Sequence, residues 1–225
     1  MPFFFATRRD GDRVEILGPD ARHLAGPLRA RPGELIAVVD PAGSLLTVRL
    51  DTVSSREVAG SVVASRPHDP EPRLKVTLAV ALLPGAALEH SLSRATELGA
   101  HAFLLVAADR SVARAAKPER WATICREAAM LAGRLVVPAV AGPLSLAEVL
   151  AGESVAVLDG MGSSRLATAS FGSAVTIAIG PEGGWSSAER AAAGDRLFSL
   201  GPRNLRADTA ALAGLAVVLA GSGDL

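Results

Sequence analysis

Apolar residues recur in two different rhythms, and the change between them divides the chain. Before Arg66 the apolar runs are short: Phe3–Ala6, Val14–Leu17, Leu35–Val39, Leu45–Leu50 and Val58–Ala64. Turn signals separate them, among them Asp10-Gly11-Asp12, Arg31-Pro32-Gly33 and Pro41-Ala42-Gly43, as tight connections between strands require. Short strands at this spacing predict a small barrel, with one helical segment inserted over Asp20 to Leu28. Three prolines then fall between Pro67 and Pro72, where neither a helix nor a central strand can continue, so Arg66 to Pro72 is expected to be a linker. The domains are accordingly placed at residues 1–70 and 71–225.

Beyond the linker, long apolar runs alternate with helical periodicity. Leu74–Leu83 is nearly continuous, as in a strand covered on both faces. Leu88, Leu92, Ala95 and Leu98 share one helical face that Gly99 ends. Phe103–Ala107 is the next strand, and Pro118 opens a helix carrying Trp121, Ile124, Ala128 and Leu131. Val155–Leu158, Thr176–Ile179 and Arg196–Leu200 complete the strands. Ser186 and Glu189 have capping-box spacing, and Thr209–Leu219 is the closing helix. Such alternation predicts an α/β domain around a parallel sheet.

Composition narrows the classes. Hydrophobic residues make up 49% and charged residues 20%, which is globular rather than disordered. No apolar run reaches the roughly 18 residues of a membrane span, and the N-terminus lacks the charge order of a secretory signal, so a cytoplasmic protein is expected. Cys125 is the lone cysteine and His23, His68, His90 and His101 lack metal-ligand spacing, so neither a disulfide nor a metal is expected. Lysine plus arginine equals aspartate plus glutamate at 23 each, so no global basic field advertises a nucleic-acid partner. All the bases except Lys75 and Lys117 are arginine, which suits phosphate recognition or reflects genome composition.

Two glycine-bearing loops follow predicted strands: Ile179-Gly180-Pro181-Glu182-Gly183-Gly184, and Leu200-Gly201-Pro202-Arg203-Asn204-Leu205-Arg206-Ala207-Asp208-Thr209-Ala210. Ligands of open α/β sheets bind beyond the carboxyl ends of strands, so both loops stand where a site belongs. The glycine spacing is wrong for a dinucleotide fold and the acidic residue after the next strand is missing, which disfavours a nicotinamide dehydrogenase; a P-loop is also absent.

These two loops, in this order, resemble the signature of the SPOUT-class RNA methyltransferases, and within that class the RsmE family, which methylates uridine N3 in small-subunit (16S) ribosomal RNA. The resemblance extends to His23-Leu24 with Leu28-Arg29 and Gly33, to Arg94-Ala95-Thr96-Glu97-Leu98-Gly99, to Arg110-Ser111-Val112, to Arg120-Trp121 and to Glu127-Ala128-Ala129. It implies a PUA-like β-barrel, a SPOUT α/β domain tied in a deep trefoil knot, a homodimer, and S-adenosylmethionine as cofactor. The implied cofactor residues are Leu158, Asp159 and Gly160; Ile179, Gly180, Pro181, Glu182, Gly183 and Gly184; and Leu200, Gly201, Asn204, Leu205, Arg206, Thr209 and Ala210. Arg8, Arg22, His23, Arg29, Arg31 and Arg134 are the expected RNA contacts. The chain departs from the family pattern at Pro84 and at Met130-Leu131-Ala132, where polar residues are usual ahead of Gly133-Arg134.

Methyl transfer to uridine N3 needs help in removing or compensating the N3 proton. Arg206 is the candidate for stabilising the uracil anion, or else the partner of Asp208 or Glu182. Glu182 is either a proton acceptor or a cap for neighbouring amides, and Asp208 is expected to cap the last helix. Trp185 stacks on a base or packs on the sheet, and Cys125 belongs to the core. Alternatives left open are a SPOUT methyltransferase of another RNA and an RNA-binding assembly protein without turnover.

Overall fold

The computed structural model describes residues 3–84, 86–112 and 117–225, and the chain divides into two compact units. The first comprises Met1–Glu71 together with Ala129–Val136. It contains β1 (Phe4–Phe5), β2 (Arg8–Asp10), β3 (Arg13–Leu17), α1 (Gly18–Ala25), β4 (Leu35–Asp40), β5 (Ser44–Val53) and β6 (Glu57–Pro67). These strands form one six-stranded sheet in the order β1-β4-β5-β6-β3-β2, with only the β1–β4 pair parallel. Register shifts between Thr47 and Val48 and between Leu50 and Thr52 mark irregularities of the kind that bend long antiparallel pairs. Gly60 on β6 sits against this bend, where a Cβ would lie 2.5 Å from the Arg49 carbonyl oxygen.

Alternation is visible in β3, where Val14 and Ile16 are buried and Arg13 is exposed. In α1, Ala21 and Leu24 face the core while Arg22 and His23 face outward. Two sequence expectations change here. Arg8–Asp10 is a strand although all its residues are exposed, a pattern without apolar signal. Arg66 and Pro67 belong to the end of β6 rather than to a linker; Pro67 is the last residue of the strand, where a missing N–H is tolerated.

The segment Ala129–Val136 joins this unit through specific bonds. Phe3 N–H donates to the Met130 carbonyl at 2.9 Å, and His68 Nε2 lies 2.6 Å from the Gly133 carbonyl. Glu71 pairs with Arg134 and accepts the Leu135 and Val136 amides. No linear pattern foretells this return, because it rests on bonds between residues far apart in sequence, the buried Glu71–Arg134 pair among them.

The second unit, Pro72–Ala128 and Val137–Leu225, contains a seven-stranded sheet. Its elements are β7 (Lys75–Ala81), α2 (Ala87–Glu97), β8 (Ala102–Val106), α3 (Pro118–Ala132, whose last residues belong to the first unit), β9 (Ala139–Leu144), α4 (Leu146–Leu150), β10 (Val155–Leu158), β11 (Ser164–Arg165), β12 (Ala174–Ile179), α5 (Ser187–Ala193), β13 (Leu197–Ser199) and α6 (Ala207–Ser222). Every pairing is parallel, in the order β11-β13-β10-β12-β7-β8-β9. The expected parallel α/β sheet is therefore present. All four residues of β10 are buried, which is why its apolar run is unbroken.

Missed elements are short or exposed: β9 has no buried residue, β11 has two residues, and α4 announces itself only by a capping box between Ser145 and Glu148. The expected box at Ser186 and Glu189 is present, and Glu189 also accepts the Asp109 amide at 3.0 Å. Helix α6 lies close to the sheet because Gly214 has no side chain; a Cβ there would come within 3.0 Å of Leu158 Cδ1.

Candidate cofactor and substrate site

Strands β13, β10 and β12 are neighbours and parallel, so the loops that follow them crowd one edge of the sheet. They enclose a cavity of about 630 Å³, within the roughly 300–1,000 Å³ typical of small-molecule sites. Its walls include Leu158, Asp159 and Gly160; Ile179, Gly180, Pro181, Glu182 and Gly184; and Leu200, Gly201, Asn204, Leu205, Arg206 and Ala210. The three segments named from sequence thus meet.

Each loop is held by identifiable bonds. After β10, the Asp159 carboxylate accepts the Met161 amide at 2.8 Å and the Arg190 Nε–H at 2.7 Å. After β12, the Gly184 N–H donates to the Pro181 carbonyl at 2.8 Å, closing a tight turn in which Gly184 has φ +67°. After β13, the Gly201 N–H donates to Ser199 Oγ at 3.0 Å. Trp185 ties the first two loops together: its Nε1–H donates to the Leu158 carbonyl at 3.0 Å, and its ring fills the place where a Cβ on Gly180 would stand. With 1% exposure it cannot stack on a base; of its two expected roles, packing is the one realised.

Several expected residues sit differently. Gly183 does not line the cavity, and its carbonyl instead accepts from Arg110 Nη1 at 2.9 Å. Thr209 lies in the first turn of α6 and lines a separate groove with His90, Arg94 and Leu212, because successive helical positions point to different faces. Asp208 does not cap α6 from outside; it lies within the first turn, accepting the Thr209 N–H at 2.9 Å, while Arg206 occupies the cap position without a side-chain capping bond. Its charge still suits the positive end of the helix.

Arg206 is 76% exposed and only loosely bound to Asp208, with Nε 3.4 Å from Oδ1. Glu182 is exposed on the cavity wall, and its carboxylate engages no described residue, so it caps no amide. The cavity also takes in Pro202, Arg203 and Ala207, within the expected loop from Leu200 to Ala210, and Met161, Arg190 and Phe198, which sequence reasoning left unassigned. Arg190 had a signal of a kind, as a cation one turn after a capping box and beside a glycine loop. Met161, 80% exposed, had none.

Of the expected RNA contacts, Arg8, Arg22, His23, Arg29 and Arg31 are exposed in the first unit. Arg29 holds a left-handed φ of +51°, rare for a side chain larger than glycine. Arg134 is a correction: it is 3% exposed and bound to Glu71, so burial removes it from any surface contact. Burial opposes ionisation of Glu71, but the hydrogen bond and charge of Arg134, with the Leu135 and Val136 amides, outweigh it and hold the carboxyl below its ordinary value. Cys125 is buried core as expected. Among the described residues no group of three or more acidic, histidine or cysteine side chains is placed to hold a metal, and no helix is long and apolar enough to cross a membrane.

The walls fit S-adenosylmethionine. With glycine at positions 160, 180, 184 and 201 the backbone itself lines much of the cavity, while Leu158, Ile179 and Leu200 add apolar surface. Residues 70–219 match the family described as RNA methyltransferase domain. The chain is 32% identical, over 90% of its length and 88% of the relative's, to ribosomal RNA small subunit methyltransferase E of Bacillus subtilis. It is 34% identical, over 97% and 90%, to the protein of the same name from Mycobacterium bovis. The crystal structure of ribosomal RNA small subunit methyltransferase E from Neisseria gonorrhoeae bound to S-adenosyl methionine aligns with TM-score 0.86 at 29% identity, covering 96% of this chain and 95% of that one.

Proposed function

The chain belongs to the RNA methyltransferase domain family, and from that premise we propose that it transfers the methyl group of S-adenosylmethionine to N3 of a uridine in small-subunit ribosomal RNA. What carries this conclusion is the convergence of three glycine-bearing loops on one cavity at the carboxyl edge of a parallel sheet. When bound there, S-adenosylmethionine supplies a methyl carbon on a positively charged sulfur, open to in-line displacement.

The remaining work falls to the chain's own groups. The segments 158–160, 179–184 and 200–210 hold the cofactor, and Asp159 with Arg190 fixes the first of them. Uridine N3 is a poor nucleophile while protonated, so the Arg206 guanidinium favours the uracil anion and the Glu182 carboxylate receives the proton. Arg206 is suited to this because it is permanently charged, exposed and only weakly engaged by Asp208. Since N3 lies on the pairing edge, the target base must be unpaired or extruded to reach the cavity.

Residues 1–70, the main segment of the first unit, are assigned as a PUA-like RNA-binding domain using Arg8, Arg22, His23, Arg29 and Arg31 on phosphates. Residues 71–225, which hold the whole second unit and the short 129–136 segment of the first, are assigned as a SPOUT domain with a trefoil knot, acting in a cytoplasmic homodimer without metal. The strand order β13-β10-β12, which gathers all three loops, supports that architecture.

Incubation with labelled S-adenosylmethionine and small ribosomal subunits lacking the modification tests the proposal. Label recovered as 3-methyluridine in the small-subunit RNA is the expected result. Label confined to another RNA would favour a second target, a reading to which the apolar Met130-Leu131-Ala132, with Leu131 61% exposed, lends support. RNA binding with no transfer to any RNA would instead make the chain an assembly protein.

A further inference from the structure

The short edge strand β11 pairs in parallel with β13, in the register Ser164 to Phe198 and Arg165 to Ser199. That register sets Arg165 beside the turn at Gly201, which leads directly to Arg203. A Cβ built on Gly201 would lie 3.4 Å from Arg165 Nη1 and 3.9 Å from Arg203 Nη2, so both guanidinium groups reach the same point. Gly201 leaves that point open, and with φ +124° the position resists any side chain.

Both arginines are exposed, and neither pairs with a carboxylate among the described residues. Two cations brought together without an acid repel each other unless an anion lies between them. The planar fork of each guanidinium matches a group with two free oxygens. Arg203 lines the cavity and Arg165 stands outside its walls. The pair therefore spans the rim, where a polymeric substrate must continue past a base held inside.

Resting on the methyltransferase reading, we propose that Arg165 and Arg203 clamp a backbone phosphodiester of the RNA next to the target nucleotide. The target base enters on the Arg206 side of the loop, and the clamp fixes the strand as it leaves.

Arg165→Ala and Arg165→Lys, with the unaltered protein, are to be measured for binding to small ribosomal subunits lacking the modification, across a salt series. Arg165→Ala is expected to weaken binding roughly tenfold and to reduce the slope of log K against log salt by about 0.7–0.9, the share of one phosphate. Arg165→Lys should restore most of the slope, and calorimetric affinity for S-adenosylmethionine should stay at the unaltered level. An unchanged salt slope overturns the clamp. So does a loss of cofactor affinity with the slope intact, which would assign the two cations to the cofactor's carboxylate. If the unaltered protein transfers no methyl group to the subunits, the proposed function fails, while the salt slopes still decide the clamp.

Discussion

Arg190 on α5 donates its Nε–H to the Oδ2 of Asp159, 2.7 Å away, and so binds the helix that follows one loop of the cavity to the start of another. The Asp159 side chain is 5% exposed, and its other oxygen holds the Met161 amide. Replacing Arg190 by alanine leaves a nearly buried carboxylate short of its main partner. Arg190→Ala should lose about 1–3 kcal/mol of stability and bind S-adenosylmethionine roughly tenfold more weakly, as judged by calorimetry. Melting curves with and without the cofactor separate the two effects. Undiminished cofactor affinity in a destabilised variant would mean that the pair supports the fold alone.

Arg206→Ala should reduce kcat by about 100- to 1,000-fold, the usual effect of removing one charge-stabilising donor. Stability should hardly change, because the side chain is 76% exposed. The deficit should shrink as pH rises, since alkali removes the N3 proton that the arginine otherwise compensates. A pH–rate profile for the variant that runs parallel to that of the unaltered enzyme would remove Arg206 from the chemistry.

Glu71 and Arg134 make a buried pair, with side-chain exposures of 11% and 3%. Breaking such a pair typically costs about 3–5 kcal/mol, because the remaining charge is stranded. Arg134→Met alone should therefore destabilise strongly in urea, and adding Glu71→Gln should recover part of the loss. The carboxyl of Glu71 is held below its ordinary value of 4.5. A depressed folded-state pKa contributes stability that is present above the unfolded value and lost as pH falls through the folded one. The advantage of the unaltered protein over Glu71→Gln should accordingly be full above pH 4.5 and shrink below it.

Gly180→Ala places a methyl group 3.0 Å from the Trp185 ring, closer than packed carbon atoms normally stand. The indole must shift, and its bond to the Leu158 carbonyl with it. A loss of about 1–3 kcal/mol is expected, together with weaker cofactor binding. Trp185→Phe should relieve the crowding in the double variant without restoring the hydrogen bond, a difference that thermal melts of the four proteins resolve.

Much of this architecture was legible in the chain. The nearly unbroken apolar runs at β7, β10 and β12 stand out because strands covered on both faces admit little else, and the three loops follow from where β10, β12 and β13 end. The register of β11 did not, since a two-residue edge strand has no periodicity. The attachment of Ala129–Val136 to the first unit was equally silent: its apolar residues look like any helix end, and its partner Glu71 lies far away in sequence. Within the site, glycines advertise themselves because backbone must approach a ligand there. Thr209 was misplaced because loop and helix were taken as one continuous wall, whereas the first turn of α6 rotates it to another face. Arg134 looked like an RNA contact because a sequence does not distinguish an arginine on a surface from one sealed beneath it.

The pairing of β7 with β12 joins residues that are synthesised far apart, with Lys75 opposite Ala174 and Val80 opposite Ile179. While the chain emerges from the ribosome, β7, β8 and β9 can associate early, but the other half of the sheet waits for β12. Two of the three loops that make the cavity follow β12 and β13, so they take shape last. A nascent chain halted before Ile179 would hold a half-sheet with an exposed edge and no place for a methyl donor. Contacts of such long range also slow folding. Capture of the cofactor is thus an event of the finished polypeptide, and one edge of β7 has no partner strand until β12 has been made.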